Sequence, residues 1–249
     1  MGEDIPRVDV VERGGKGPDG EVLTLDRRLF VQLLVFDCAP ETNPTGAMSA
    51  IATKLQERGV AAVVYADVNA PRGFGVLTYD EDPAVFVDRV RPAVNDLGAL
   101  HVVPRPDFTM IGRSYAGGHE TDLPFWLIDR PKSVIGERRV GAGPSIPAPA
   151  GRRVEPRRAR TTRILREHAI IGRAYGAEDL AHDVRLACHG LDPHDNDFLI
   201  GLIGKDLHPL SHVVQSMRKT RQTREFITQM GPFFVGRVAA RTREAQAKP

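Results

Sequence analysis

What most constrains this chain is the order in which strand-like and helix-like apolar runs follow one another. Residues 29–37, LFVQLLVFD, form a β-rich apolar run. After a Pro/Asn/Gly turn, Met48, Ile51, Leu55 and Arg58 carry helical spacing, and Gly59 stops that helix. Two strands over 60–67 and 73–79 are joined by a short NAPRG turn that reads as a hairpin. Asp80 to Asp82 and Pro83 then open a second helix with an acidic first turn, running to about Val94, with Phe86, Val87 and Val90 on one face. A strand over 108–115 closes the unit. Strand, helix, strand, strand, helix, strand is the order of a ferredoxin-like half.

The same order recurs after residue 160. Residues 161–175 read as a helix with Ile164, His168 and Ile171 at spacings of four and three. Residues 181–189 and 198–203 read as strands. A helix over 208–218 has Pro209 in its first turn, and 226–238 ends in a strand, GPFFVGR. The expected fold class is therefore α+β, with two tandem ferredoxin-like repeats. The boundaries are a flexible N-terminal arm over 1–20, a first repeat over 21–130, a Pro/Gly/Arg-rich linker over 131–160, a second repeat over 161–240 and a tail over 241–249. The arm is polar, Gly-rich and without period. The linker brings Arg152, Arg153, Arg157, Arg158, Arg160, Arg163 and Arg166, a run that reads as a solvated face or an anion-binding one.

Charge narrows the function classes. With 34 Lys plus Arg against 32 Asp plus Glu, the net charge of +2 argues against a nucleic-acid binder and a polybasic membrane protein. No aromatic residue interrupts the linker arginines to provide stacking platforms. No secretory signal and no apolar run of membrane-spanning length is visible. Two cysteines, Cys38 and Cys188, make neither a disulfide framework nor a CxxC site, so a reducing cytoplasm is expected. His168, His182, His189, His194, His208 and His212 cluster in the second repeat, two of the 8 histidines lying outside it. His208 and His212 stand at i, i+4, but without the HExxH glutamate or a third ligand at recognisable spacing.

His168 differs by its company. The run LREHAIIGRAYG over 165–176, HGLD over 189–192, MR at Met217 and Arg218, and GPFFVG over 231–236 resemble, in order and approximate spacing, the C-terminal half of the chlorite dismutase and coproheme decarboxylase superfamily. The resemblance implies that the two repeats close into an α+β barrel, assembled as a homo-oligomer, often a pentamer. It implies a haem-dependent oxidoreductase, with haem b or iron coproporphyrin as the bound group and a small oxidant such as peroxide as partner. His168 takes the position of the proximal axial ligand, for which a neutral imidazole on a rigid helix is suited.

The chain also departs from that pattern. In coproheme decarboxylases a tyrosine before the proximal histidine is oxidised to a radical, whereas residues 127–167 hold neither tyrosine nor tryptophan. Tyr115 is the candidate substitute at the porphyrin. On the strand after the helix, alternation puts Ala181, Asp183, Arg185 and Ala187 on one face and His182, Val184, Leu186 and Cys188 on the other. The first set would offer Asp183 and Arg185 to the distal side, with Arg185 steadying an oxyanion, and a one-residue slip would offer His182. After MR, where family members place an acid, Lys219, Thr220 and Arg221 follow, with Glu225 the first acid. Glu167 could substitute, and Arg218 and Arg221 could hold propionates. The resemblance thus leaves three activities open: peroxidase-type chemistry, coproheme decarboxylation with a non-standard radical residue, and a non-catalytic haem or porphyrin carrier. A structural barrel without any cofactor is the remaining reading.

Overall fold

The computed structural model describes residues 8–136, 144–150, 158–194, 196–227 and 230–244, with 99, 144–150, 158–166, 168 and 226 described by their backbone alone. Within the expected arm, β1 (Glu12–Lys16) pairs antiparallel with β2 (Val22–Leu25). Long-range contacts hold this hairpin, which is why no local period announces it. Leu23 and Leu25 pack on the core, and the Gly15 N–H donates to the Glu120 carbonyl at 2.8 Å. The Glu12 carboxylate accepts from Arg113 at 2.8 Å and from the Ala116 N–H at 3.0 Å.

The first repeat contains β3 (Phe30–Cys38), α1 (Pro44–Glu57), β4 (Ala62–Asp67) and β5 (Gly73–Asp80). A π-helical turn (Phe86–Val90) leads into α2 (Arg91–Asn95), and β6 (Val102–Pro104) and β7 (Met110–Arg113) follow. The first helix begins four residues before its expected start because Asn43 caps it, accepting from the Thr45 N–H at 3.1 Å, and Pro44 suits its first turn. Gly59, at φ 63°, ends it, as read from the sequence. A second π-helical turn (Phe125–Asp129) continues into α3 (Arg130–Gly136).

The second repeat starts earlier than expected. Its first strand, β8 (Pro144–Ala150), lies inside the segment read as linker. Then come α4 (Arg158–Ala177), β9 (His182–Ala187), β10 (Phe198–Ile203), α5 (Leu207–Met217), α6 (Arg221–Phe226) and β11 (Gly236–Thr242). Three prolines in seven residues hid β8 from a pattern reading. The strand tolerates them because it pairs with β10 along its length but with β11 only at Ser145 and Pro144. Most of one edge therefore has no ladder to break. Arg152, Arg153 and Arg157 lie outside the described residues, and the side chains of Arg158, Arg160, Arg163 and Arg166 do too. GPFFVGR is also not one strand: β11 starts at Gly236, and 231–235 is a connecting segment.

Both repeats have the ferredoxin-like order. In the first, β3 sits between β7 and β5, with β4 outside; in the second, β8 sits between β11 and β10, with β9 outside. The nine-stranded sheet runs β5-β4-β11-β8-β10-β9-β7-β3-β6, and a further β5–β3 pairing closes it into a barrel with β6 left outside the ring. The chain is thus an α+β barrel of two tandem ferredoxin-like repeats. Inward residues such as Val31, Leu33, Val63, Met110, Val184 and Leu199 form one buried cluster, to which Leu127 and Ile135 of the α3 region also belong. Outside the first repeat, Ala47, Ile51 and Leu55 of α1 cover Val64, Phe74 and Val76.

Two inward positions yield stability predictions. Gly201 lies inside β10, and among the described residues a Cβ there would meet Val184, at 3.8 Å. Gly201→Ala is expected to stabilise the fold by about 0.5–1 kcal/mol, read by urea unfolding, because glycine weakens a strand interior. Tyr79 is buried, and burial, with Glu244 adding, pushes its phenol from 10.0 up to about 12. A raised folded pKa leaves stability unchanged below pH 10.0 and removes it as pH rises toward about 12. Thermal melts across that window should fall less steeply for Tyr79→Phe than for the parent chain.

Candidate functional site

The register of β9 on β10 decides which residues share a face. Asp183 lies opposite Leu202, Arg185 opposite Ile200 and Ala187 opposite Phe198. Leu202 and Ala181 are buried with Leu210 and Val213 of α5, so this is the helix-covered outer face of the second repeat. Val184, Leu186 and Cys188 face the barrel interior with Leu199 and Ile203. The structure therefore places Asp183 and Arg185 beneath the helices, as alternation without a slip requires. His182 is on the other set. Its Nε2 lies 2.8 Å from Asp179 Oδ1 at the strand's start, away from Arg185. Lys205 and His182 beside Asp179 hold that exposed carboxyl down to about 2.

Asp183 organises two arginines. Its Oδ2 lies 3.1 Å from Arg185 Nε, and its Oδ1 accepts from Arg130 Nη2 at 3.0 Å. Arg130 also donates to the Asp183 carbonyl at 2.7 Å. This is possible because β9 pairs with β7 only at Ala187 and Arg113, leaving the rest of that edge open. The Arg130 guanidinium stands 5.4 Å from the Trp126 ring. Tyr115, Glu120, Trp126, Arg130 and Arg185 line a small polar cavity of about 20 Å³ at this edge. The Tyr115 ring packs 5.5 Å from Phe198, on the same face as Arg185. Burial pushes the Tyr115 phenol up, opposed by the Arg185 charge. Arg185 keeps 53% of its side chain exposed, so part of the guanidinium remains available.

Sequence reading assembled Tyr115, Asp183 and Arg185 as separate candidates, and the fold brings them together. It missed Arg130, whose partner is 53 residues away and which no motif marks.

Opposite this face runs α4. Ile171 and Tyr175 pack toward the sheet with Ile200 and Leu202. Position 168 is three and seven residues before them, on the same side of the helix by phase. The His168 side chain lies outside the described residues. Gly172, on that side, would meet with an added Cβ the Met217 Cε, at 3.8 Å, among the described residues. The Tyr175 hydroxyl bonds His212 Nδ1 and lies 3.3 Å from Ser216 Oγ, tying α4 to α5. His212 is therefore a helix-tying residue. Among the described residues no group of three or more His, Cys, Asp or Glu stands close enough to hold a metal ion. Glu167 accepts from the Arg221 N–H at 3.0 Å, near the start of α6. Arg221 itself is paired with Glu225 at 2.9 and 3.0 Å, and Arg218 is exposed at the end of α5.

The two outer faces differ in packing. Among the described residues, the cluster under α1 has a large buried centre that includes Ile51, Leu55, Val64, Phe74 and Val76, with partly buried residues such as Phe30 and Met48 around it. Under α4 and α5, by contrast, only Ala181, Leu202, Leu210 and Val213 of the described residues are buried, and Ile171, Tyr175, Ile200, Val214, Met217 and Phe233 are partly buried. An apolar, incompletely packed face rimmed by arginine suits a flat apolar group with acidic substituents. This is the fit that a porphyrin requires.

The α+β barrel matches the fold of chlorite dismutase-like structures. Residues 154–239 match the chlorite dismutase family model. A search of curated proteins finds no match in sequence. Among solved structures, TA0507, which carries a provisional chlorite dismutase assignment, superimposes with TM-score 0.65 at 13% identity, covering 85% of this chain and 94% of that one. A heme-binding protein from Thermus thermophilus gives 0.63 at 16%, covering 85% and 91%. A chlorite dismutase variant from Candidatus Nitrospira defluvii gives 0.62 at 12%, covering 84% and 91%. At these identities the structural likeness establishes the fold, and the family match falls on the part of the chain that carries α4 and the incompletely packed face. Among the described residues no helix is long and apolar enough to cross a membrane.

Proposed function

We propose that this chain binds haem between α4 and the outer face of β9 and β10, and acts as a haem-dependent oxidoreductase. The observation that carries the reading is the coincidence of the family match over 154–239 with an apolar, incompletely packed face bearing Arg185. A bound haem would supply redox chemistry at an iron centre toward a small oxidant. His168 is the residue assigned to hold the iron from the α4 side. The Tyr175 bond to His212 fixes the roll of that helix over the sheet. Arg185 steadies an anionic or peroxidic ligand, since its guanidinium is charged at every working pH. Asp183 orients that guanidinium and holds Arg130 at the strand edge. Arg218 and, with its charge shared with Glu225, Arg221 are assigned to the propionates.

The acid expected after MR is absent, and Glu167 is engaged at the Arg221 amide. The histidine then receives less electron donation from a carboxylate neighbour. A second reading, with iron coproporphyrin as substrate, is favoured by Tyr115, which is buried in the same polar cavity as Arg185. A homopentameric ring and a cytoplasmic location complete the proposal.

Titration of the purified protein with haem b and with iron coproporphyrin tests it. Saturable Soret shifts are expected, and a spectrum equal to that of free porphyrin refutes it. Peroxide then separates enzyme from carrier: rapid spectral change slowed at least tenfold in Arg185→Leu supports the enzyme, because removal of one donor to developing charge costs on the order of 10²–10³ in rate. Mass spectrometry of iron coproporphyrin after peroxide decides the second reading.

A further inference from the structure

The barrel lumen holds a buried cavity of about 40 Å³, on the opposite face of β9 and β10 from Arg185. Leu77, Met110, Leu186, Leu199, Gly201 and Phe234 are among its lining residues. We propose that this cavity is a binding site for a small apolar molecule of the size class of dioxygen or a noble-gas atom. The inference is independent of the haem reading.

Water is a poor occupant. A buried water needs two to four polar partners, and among the described lining residues Tyr65 is the one with a polar side-chain atom. The amides of β3, β4, β5 and β10 around the lumen are committed to their ladders, and the open edge of β9 presents its polar groups in the plane of the sheet rather than into the lumen. An empty void instead forfeits dispersion contacts on every lining atom, and a small apolar guest restores them without breaking a hydrogen bond. The volume sets the class, since it is far below that of known benzene-binding cavities, which are on the order of 150 Å³.

Gly201 argues that the space is kept. It forms part of the cavity wall in the interior of β10, and an added Cβ would meet Val184 Cβ and O at 3.8 Å, an ordinary contact. An alanine would fit without displacing any described residue, narrow the cavity and strengthen the strand. The chain carries glycine there, opposite Val184, one residue from the Arg185–Ile200 pair on the other face. An apolar guest would therefore sit one sheet away from the candidate site, behind the strands that position Arg185.

Methyl-labelled protein under xenon pressure tests this. Saturable chemical-shift changes are expected at Met110, Val184, Leu186 and Leu199, with surface methyls unmoved. Gly201→Val should abolish them. Gly201→Ala, whose fold is checked by the dispersion of the same spectrum, should weaken xenon binding several-fold, which keeps the test decisive if the valine variant does not fold. Dissolved dioxygen should broaden the lumen methyls more than equally buried methyls of the α1 interface. The absence of saturable shifts at these four residues, shifts unchanged in Gly201→Ala, or uniform broadening by dioxygen would each overturn the proposal.

Discussion

His168→Ala is expected to abolish the shifted Soret band that haem acquires on this protein and to weaken haem binding by on the order of 100-fold or more. Outer-shell partners of metal-bound histidines are alone worth 10–100-fold, and an axial ligand contributes at least as much. The argument rests on placement. Position 168 lies within α4 (Arg158–Ala177), on the side that Ile171 and Tyr175 turn toward the sheet. Ile171 and Tyr175 pack with Ile200, which is paired with Arg185 on the second repeat's outer face. Tyr175→Phe provides the contrast, because it removes the bond to His212 and leaves residue 168 intact. It should shift affinity by no more than about tenfold, in keeping with the loss of one hydrogen bond of about 1 kcal/mol. An unchanged Soret band in His168→Ala would sink the assignment, and an equal loss in both variants would show that helix placement matters rather than the imidazole. Far-ultraviolet circular dichroism of the haem-free variants separates either result from unfolding.

Phe234→Ala should be the most destabilising single substitution in the barrel core, at about 3–5 kcal/mol, read from the midpoint of urea unfolding. Phe234 is 1% exposed and meets Tyr65 edge-on, with ring centroids 6.2 Å apart. Two glycines make room for it. A Cβ at Gly75 would come within 2.5 Å of its Cζ, and one at Gly236 within 2.7 Å of its Cε1. Removing the ring leaves a void that the surrounding strands cannot close, because their ladders run round a closed ring. Gly75→Ala should also destabilise, by overpacking rather than by cavity, at about 1–3 kcal/mol. A loss below about 1 kcal/mol in Phe234→Ala would show that the site collapses freely, contrary to the packing.

These two residues show where the sequence was readable. The helix of His168 could be read from its spacing, since a strip of Ile164, His168 and Ile171 has one period and one neighbour to cover. The run GPFFVG was equally conspicuous but misread as a strand. What sets its conformation is the seat of Phe234 in the lumen, made by neighbouring Gly236 and by Gly75 far off in the sequence, which no local period records. β8 escaped notice because proline opposes strand formation by local rules, and only its partial pairing with β11 shows why three prolines are tolerated. The hairpin of β1 and β2 escaped for the same reason, as Glu12 and Gly15 are held by residues about a hundred positions away.

At the candidate site the sequence supplied Tyr115, Asp183, Arg185 and His168 as chemical types, and alternation along β9 put Asp183 and Arg185 on one face, which the structure turns toward the helices. It could not distinguish that register from a one-residue slip, because period two is blind to which set faces the helices. Only the pairing of Asp183 with Leu202 and of Arg185 with Ile200 decided it, and the same pairing removed His182 from the site. Arg130 entered solely through tertiary structure. By itself, then, the sequence determined the near-neutral α+β chain, the doubled strand–helix order and the motif around His168, since each is written in periodicities and spacings within one element. The tertiary structure decided the closure of the ring, the start of the second repeat, the partners of Asp183 and the apolar lumen behind Arg185. All of these depend on contacts between residues far apart in the chain, which no local period records.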